Sequence, residues 1–310
     1  MLFAAGQDHF HHVRDFPFFE LPLRLGAAIN SHGHTVYGIP LPNIAGFQIT
    51  KFIVLQVVAG LLTFVVFKGL AKRVSSGEPT KGRFWNFWES IALYIRDEVV
   101  RPTVGDGHHD HDGHGHGDDH KDSGHGHSDA HAGHYADQFL PFIWTCFFYI
   151  LFCILLGAIP MLGSPTGSLS VTGVLAVAVF LFNLYQGSKQ FGFIGFWKNQ
   201  CPDLGLDGIM GVAIGAGVWC IEVVGLFIKH GVLAIRLFAN IMGGHTVVGV
   251  ILGFIAADGI AGTMLQGAVI PASIGGQIFI GLLELFVSFL QAYVFAYLST
   301  IFLSASLHAH

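Results

Sequence analysis

Across residues 138–188 the sequence holds no Asp, Glu, Lys, Arg or His, a run that belongs in lipid rather than on a wetted surface. Charge is scarce overall. Asp, Glu, Lys and Arg make up 11% of the 310 residues, against roughly a quarter in ordinary soluble domains. Apolar residues make up 52%, and mean hydropathy is +0.59. This excludes a soluble enzyme and predicts an all-α polytopic membrane protein. The net charge of -5 says little about partners, since eight of the twenty acidic residues sit in 106–137, and a nucleic-acid partner is not expected. Of the four cysteines, Cys146 and Cys153 lie in an apolar run, Cys201 and Cys220 stand apart, and no CxxC occurs. Neither a disulfide framework nor a thiolate metal site is expected, and the four read as small core residues. The N-terminus, MLFAAGQDHFHH, has no basic segment followed by an apolar stretch, so no cleavable signal peptide is expected.

Residues 1–50 are turn-rich, with Pro17, Pro22, Gly33, Gly38, Pro40 and Pro42, and read as an irregular arm outside the membrane. An uncharged run from Phe52 to Phe67, followed by Lys68, Lys72 and Arg73, predicts a first transmembrane helix over 51–70 whose basic end snorkels to the interface. Eight of the fifteen Lys and Arg fall between Lys68 and Lys121. The positive-inside rule therefore puts that connection in the cytoplasm and the N-terminus outside. Over 84–103, Phe84, Trp85, Phe87, Trp88, Ile91, Leu93 and Ile95 alternate in helical fashion with Glu89, Arg96, Asp97 and Glu98, the pattern of an amphipathic helix lying at the membrane surface.

Residues 106–137 hold ten of the nineteen histidines and eight acidic residues, interleaved with glycine. No core can form from that composition, so the segment reads as a disordered cytoplasmic loop. Its histidines, among them His108, His109, His111, His114 and His116, are weak candidates for metal ligation through neutral imidazole; a solvated linker is the alternative. The charge-free stretch 138–188 is long enough for two helices of about 20 residues, with Gly163-Ser164-Pro165-Thr166-Gly167 as the turn between them. Polar residues over 189–207, including Lys189 and Lys198, make a cytoplasmic connection.

The last hundred residues carry charge where a bilayer tolerates it least. From residue 211 onward only Glu222, Lys229, Arg236, Asp258 and Glu284 are charged. An ionised group in the hydrocarbon costs at least about 2.5 to 3.5 kcal/mol, so it should face a partner, a cavity or an ion path. Residues 208–257 contain no proline and as one helix would be about 75 Å long against a hydrocarbon core of about 30 Å. Either the helix breaks near Lys229-His230-Gly231 or it runs on as one steeply tilted rail. On a rail, Glu222, Lys229 and Arg236 recur every seven residues and share one face, Asn240 lies a turn beyond Arg236, and His245 points to the opposite side. In 272–307 the spacing repeats, with Gln277, Glu284 and Gln291 on one face, so two polar stripes can meet. An internal ion pair of Arg236 with Glu222 or Glu284 would be the structural alternative.

The segments IKHGVLAIRLFANIMGGH at 228–245 and LLELFVSFLQAYVFAYLS at 282–299 resemble subunit a of the F-type ATP synthase membrane sector. The resemblance covers roughly residues 50–105 and 138–307. It implies two to three upright spans, the interfacial helix, and a C-terminal hairpin of two long, steeply tilted helices over 208–310 that forms the proton path. It also implies roles: Arg236 as the essential stator arginine, Asn240 as a nearby polar residue, Gln291 as the glutamine facing the arginine, and Glu222 as an acid of the aqueous access paths. His245 and Glu284 match the family's acid and histidine pair in exchanged order, an arrangement similar to mitochondrial-type subunits. The His-rich loop departs from the family pattern.

By the same resemblance the partners are a ring of c subunits, b-type peripheral stalk subunits, the rest of the ATP synthase complex and membrane lipid. The chain would carry no cofactor and no ATP-hydrolysing site of its own, and would sit in a bacterial inner membrane with its C-terminus in the cytoplasm. A reading from another class, a secondary metal-ion transporter with a His-rich cytoplasmic loop, lacks clustered ligands inside its spans: Gly249 stands four residues after His245, and Lys229 and Arg236 would repel a divalent cation.

Overall fold

The computed structural model describes residues 18–20, 27–31, 34–44, 47–74, 82–105, 135–159, 163–199, 209–256 and 263–307. Five of its helices are long and apolar enough to cross a membrane: α1 (Lys51–Val74), α4 (Leu140–Gly157), α5 (Leu169–Phe191), α7 (Ile209–Ala256) and α8 (Thr263–Leu307). The shorter helices are α2 (Arg83–Tyr94), which continues through a π-helical turn (Ile95–Val100) into α3 (Arg101–Gly105), and α6 (Phe193–Asn199). The 106–137 loop and its candidate histidines lie almost wholly outside the described residues.

The N-terminal arm is not irregular throughout. Strands β1 (Phe18–Glu20), β2 (Ala27–Ser31) and β3 (His34–Pro40) form an antiparallel sheet in the order β1-β3-β2, and β4 (Asn43–Ile44) pairs with β5 (Phe47–Gln48). The pairing of β2 with β3 runs from Ser31↔His34 to Ala27↔Gly38. Their residues, AAINS in β2 and HTVYGIP in β3, lack the strict apolar–polar alternation that marks a half-buried strand.

The helix α4 is the hub. Ten of its residues are buried, and 56% of its span window is enclosed by the protein, against 17% for α7. It has no charged residue to keep wet, so every face can take a neighbour. Phe148 packs edge-on against Phe67 of α1 at 5.2 Å, Phe142 stacks on Phe182 of α5 at 3.7 Å, and Phe147 meets Phe289 of α8. Aromatic pairs of this kind add to plain area burial.

The amphipathic helix α2 puts its tryptophans against protein. Trp88 packs on Phe148 and Phe152 of α4, and Trp85 lies over the Arg73 guanidinium at 4.1 Å, a cation–π contact. Its outward face carries Phe84, Phe87 and Tyr94, all exposed. Trp144 Nε1 donates to the Ala92 carbonyl at 2.9 Å, and Ser304 Oγ donates to the Thr103 carbonyl at 2.8 Å, tying this helix to α4 and α8. Arg101 bridges Asp97 at 3.2 Å and, through two bonds of 3.1 and 2.9 Å, Asp137. The Arg96 side-chain hydrogen bond holds the Asp97 carboxyl below its ordinary range.

The break does not occur: α7 runs unbroken for 48 residues, about 72 Å, through Lys229-His230-Gly231. A glycine inside a helix costs only about 1 kcal/mol, and the adjoining inward residues His230, Leu233, Leu237 and Ile241 are buried and hold that stretch in place. Cys220, read as a core residue, is instead exposed on α7.

Candidate functional site

The charged stripe on α7 divides. Lys229 Nζ donates to Glu222 Oε1 at 3.2 Å, with both side chains more than 40% exposed, so these two charges neutralise each other across two turns. Arg236 is left over. Its residue is exposed on the outward face of α7 beside Val232 and Ile235, and no described residue gives it a hydrogen bond or an ion pair. The internal ion pair with Glu222 or Glu284 is therefore not formed. A permanent guanidinium on a strip of aliphatic side chains needs an anion from elsewhere.

Asn240 and Gln291 are the polar neighbours along the hairpin. Gln291 of α8 is buried and Asn240 of α7 is half-buried, and the amide nitrogens of both are enclosed without a hydrogen-bond partner among the described residues. Enclosed donors of this kind are normally satisfied, so each has capacity for water or an approaching carboxylate.

His245 and Glu284, which sequence spacing assigns to different helices, line one cavity of about 80 Å³. Room for a water begins at roughly 10–15 Å³, so the cavity accommodates several. Its remaining polar lining is Ser288 of α8 and Ser164 from the α4–α5 connection. Ser164 and Thr166 share a 2.9 Å hydroxyl–hydroxyl bond, and both are fully buried. A titratable acid and an imidazole on a water-holding cavity can pass a proton between them.

These hydroxyls escape sequence reasoning. Ser164 and Thr166 sit in a segment legible only as a turn, and Ser288 is one apolar-helix serine among several. Gly244 is missed for a different reason, since its importance lies in what it makes room for. A Cβ at this position would stand 2.5 Å from Glu284 Cδ and Oε1. Gly244→Ala should leave the helix at least as stable, because alanine is the better helix former, yet it must push the Glu284 carboxyl aside. Displacing a reacting group by about 1 Å can cost about a hundredfold.

Among the described residues no three His, Cys, Asp or Glu side chains gather to hold a metal ion; His108, His109, His111, His114 and His116 lie outside those residues.

A family model described as the ATP synthase A chain matches residues 126–304. The chain is 31% identical over 298 residues to an ATP synthase subunit a of Myxococcus xanthus, covering 95% of this chain and 85% of the relative. It is 28% identical to that of Chloroherpeton thalassium, over 96% of this chain and 75% of the relative. It is also 32% identical to an ATP synthase subunit a 2 of Chlorobaculum tepidum, over 86% and 65% respectively.

Proposed function

The chain belongs to the ATP synthase A chain family, and from that premise we propose that its α7–α8 hairpin passes protons to and from a ring of c subunits, with Arg236 separating entry from exit. It is the proton-translocating stator subunit of F-type ATP synthase, an integral membrane protein built on apolar helices. The metal-transporter alternative finds no support.

One observation carries the assignment of roles: Arg236 is an exposed cation with no partner among the described residues, on an outward face that it shares with the mutually paired Glu222 and Lys229 and with Ile221, Ile228, Val232 and Ile235. A ring carboxylate is costly in lipid when ionised and tolerable when protonated, so it can leave the stator only after taking a proton. A guanidinium cannot lose its proton and favours the ionised form of an acid brought beside it, which drives proton release there. It also repels a proton attempting to hop directly from one access path to the other. Gln291 and Asn240, with amide donors to spare, hold the acid or its water next to the arginine. Glu284 and His245 carry protons through the cavity of one half-channel, and Glu222 serves the other.

A helix of 48 residues fits a hydrocarbon core of about 30 Å only by lying steeply across it, which lets α7 follow the curved wall of a ring. The basic end of α1 sits in the cytoplasm, the N-terminal arm outside and the C-terminus inside, in the inner membrane of a bacterium. The outward face of α2 lies at the interface, and b-type peripheral stalk subunits complete the stator.

The test is co-purification. Extracted from its native membrane in mild detergent, the chain should bring with it a small proteolipid oligomer whose subunits carry a carboxyl group within an apolar helix, together with an ATP-hydrolysing head. Recovery without any such proteolipid overturns the reading.

A further inference from the structure

The inward side of α7 beneath Arg236 is an apolar stripe of Leu233, Ala234, Leu237 and Ile241, all buried, broken by one buried polar residue, His230. Its imidazole is held from three helices. Within α7, Nδ1 lies 2.9 Å from the Leu226 carbonyl; since a carbonyl only accepts, Nδ1 carries the proton and Nε2 is left as an acceptor. From α5, Asn183 Nδ2 donates to that Nε2 at 3.3 Å. Phe180 of α5 and Phe302 of α8 close on the ring at 5.1 and 5.0 Å. Asn183 is itself buried, and nothing in the proton path uses either residue.

We propose that the Asn183–His230 hydrogen bond is the pin that fixes the rotation and axial register of α7, and so aims Arg236 at the ring; this rests on the stator reading above. Contacts along an apolar stripe are non-directional, and a long helix on such a stripe can settle in neighbouring registers. Slipping by one residue moves the helix by about 1.5 Å and turns it by about 100°, enough to swing Arg236 off its strip. A single buried polar pair removes that freedom, as a lone asparagine does in the apolar seam of a coiled coil. The geometry suits the task. His230 lies six residues before Arg236, about 9 Å along the axis and about 120° around it, so the pin grips the back of the helix while the front faces outward. His230 and Asn183 are positioning residues, acting through Arg236.

The test uses the whole complex in membrane vesicles, with the four native cysteines replaced by alanine and Leu237→Cys as a reporter. With the pin intact, the reporter is enclosed and a lipid-soluble maleimide should barely react. In His230→Leu or Asn183→Leu its alkylation rate should rise several-fold, and ATP-driven pumping per assembled complex should fall at least fivefold. The exchanged pair, His230→Asn with Asn183→His, restores a hydrogen bond across the same gap and should recover both readings. Unchanged alkylation in the leucine variants overturns the pin, whatever pumping does. Raised alkylation with full pumping overturns its bearing on Arg236, as does an exchanged pair no better than the single variants. If a leucine variant does not assemble, Asn183→Ala is read in its place with the same outcomes. The stator reading fails separately: pumping would then be insensitive to Arg236 while the alkylation pattern still shifted.

Discussion

Replacing Arg236 with alanine is expected to bring ATP-driven proton pumping down to background while the complex still assembles. The argument turns on what surrounds the residue. Glu222 is already neutralised by Lys229 at 3.2 Å, and no described residue pairs with Arg236. Removing the guanidinium therefore orphans no internal partner and should not unfold the chain. A buried ion pair would give the opposite expectation, since breaking one costs several kcal/mol of stability. With the cation gone, a ring carboxyl group has nothing to lower its proton affinity, and nothing bars direct proton transfer between the two access paths. Arg236→Lys should rescue poorly, because an ammonium in a low-dielectric setting can give up its proton and a guanidinium cannot. The measurement is pumping in inverted vesicles, with complex content checked by antibody; normal pumping by the alanine variant would count decisively against the assignment.

The second large effect concerns the cavity. Glu284→Gln keeps the shape of the side chain beside Gly244 and takes away the titratable proton, so proton flux should drop by about tenfold or more with normal assembly. Each tenfold corresponds to about 1.4 kcal/mol on the barrier. Because Glu284 and His245 share one cavity, they should act as a unit. Combining Glu284→Gln with His245→Ala should cost little beyond the worse single change, whereas independent groups would multiply their effects. Flux is read as passive proton conductance of vesicles stripped of the catalytic head. Wild-type conductance in Glu284→Gln would take that residue out of the path.

Much of this architecture is legible in the residues because a bilayer is a demanding solvent. Backbone groups in hydrocarbon must bond internally, so charge-free runs become helices; the 138–188 run resolves into α4 and α5 around the glycine-bounded turn that marks it. Seven-residue spacing identifies the stripe of Glu222, Lys229 and Arg236 because helical geometry alone determines which residues share a face. The same logic fails for the N-terminal arm, whose strands show no regular alternation, and for the choice between a broken and an unbroken α7, which depends on the burial of His230, Leu233, Leu237 and Ile241 on either side of Gly231.

What the amino-acid order determines by itself is therefore local: which segments enter the membrane, which residues lie on one side of a helix, and where a permanent charge stands among aliphatic neighbours. Partnership between helices is a different matter. That Glu284 nests over Gly244 and meets His245 across a cavity lined by Ser164, and that Asn183 reaches His230, are decided by how α4, α5, α7 and α8 settle against one another. Apolar surfaces in lipid attract without direction, so helical periodicity cannot foresee which faces meet. Only side-chain shape and a few hydrogen bonds, acting between positions as far as 201 residues apart, select the arrangement.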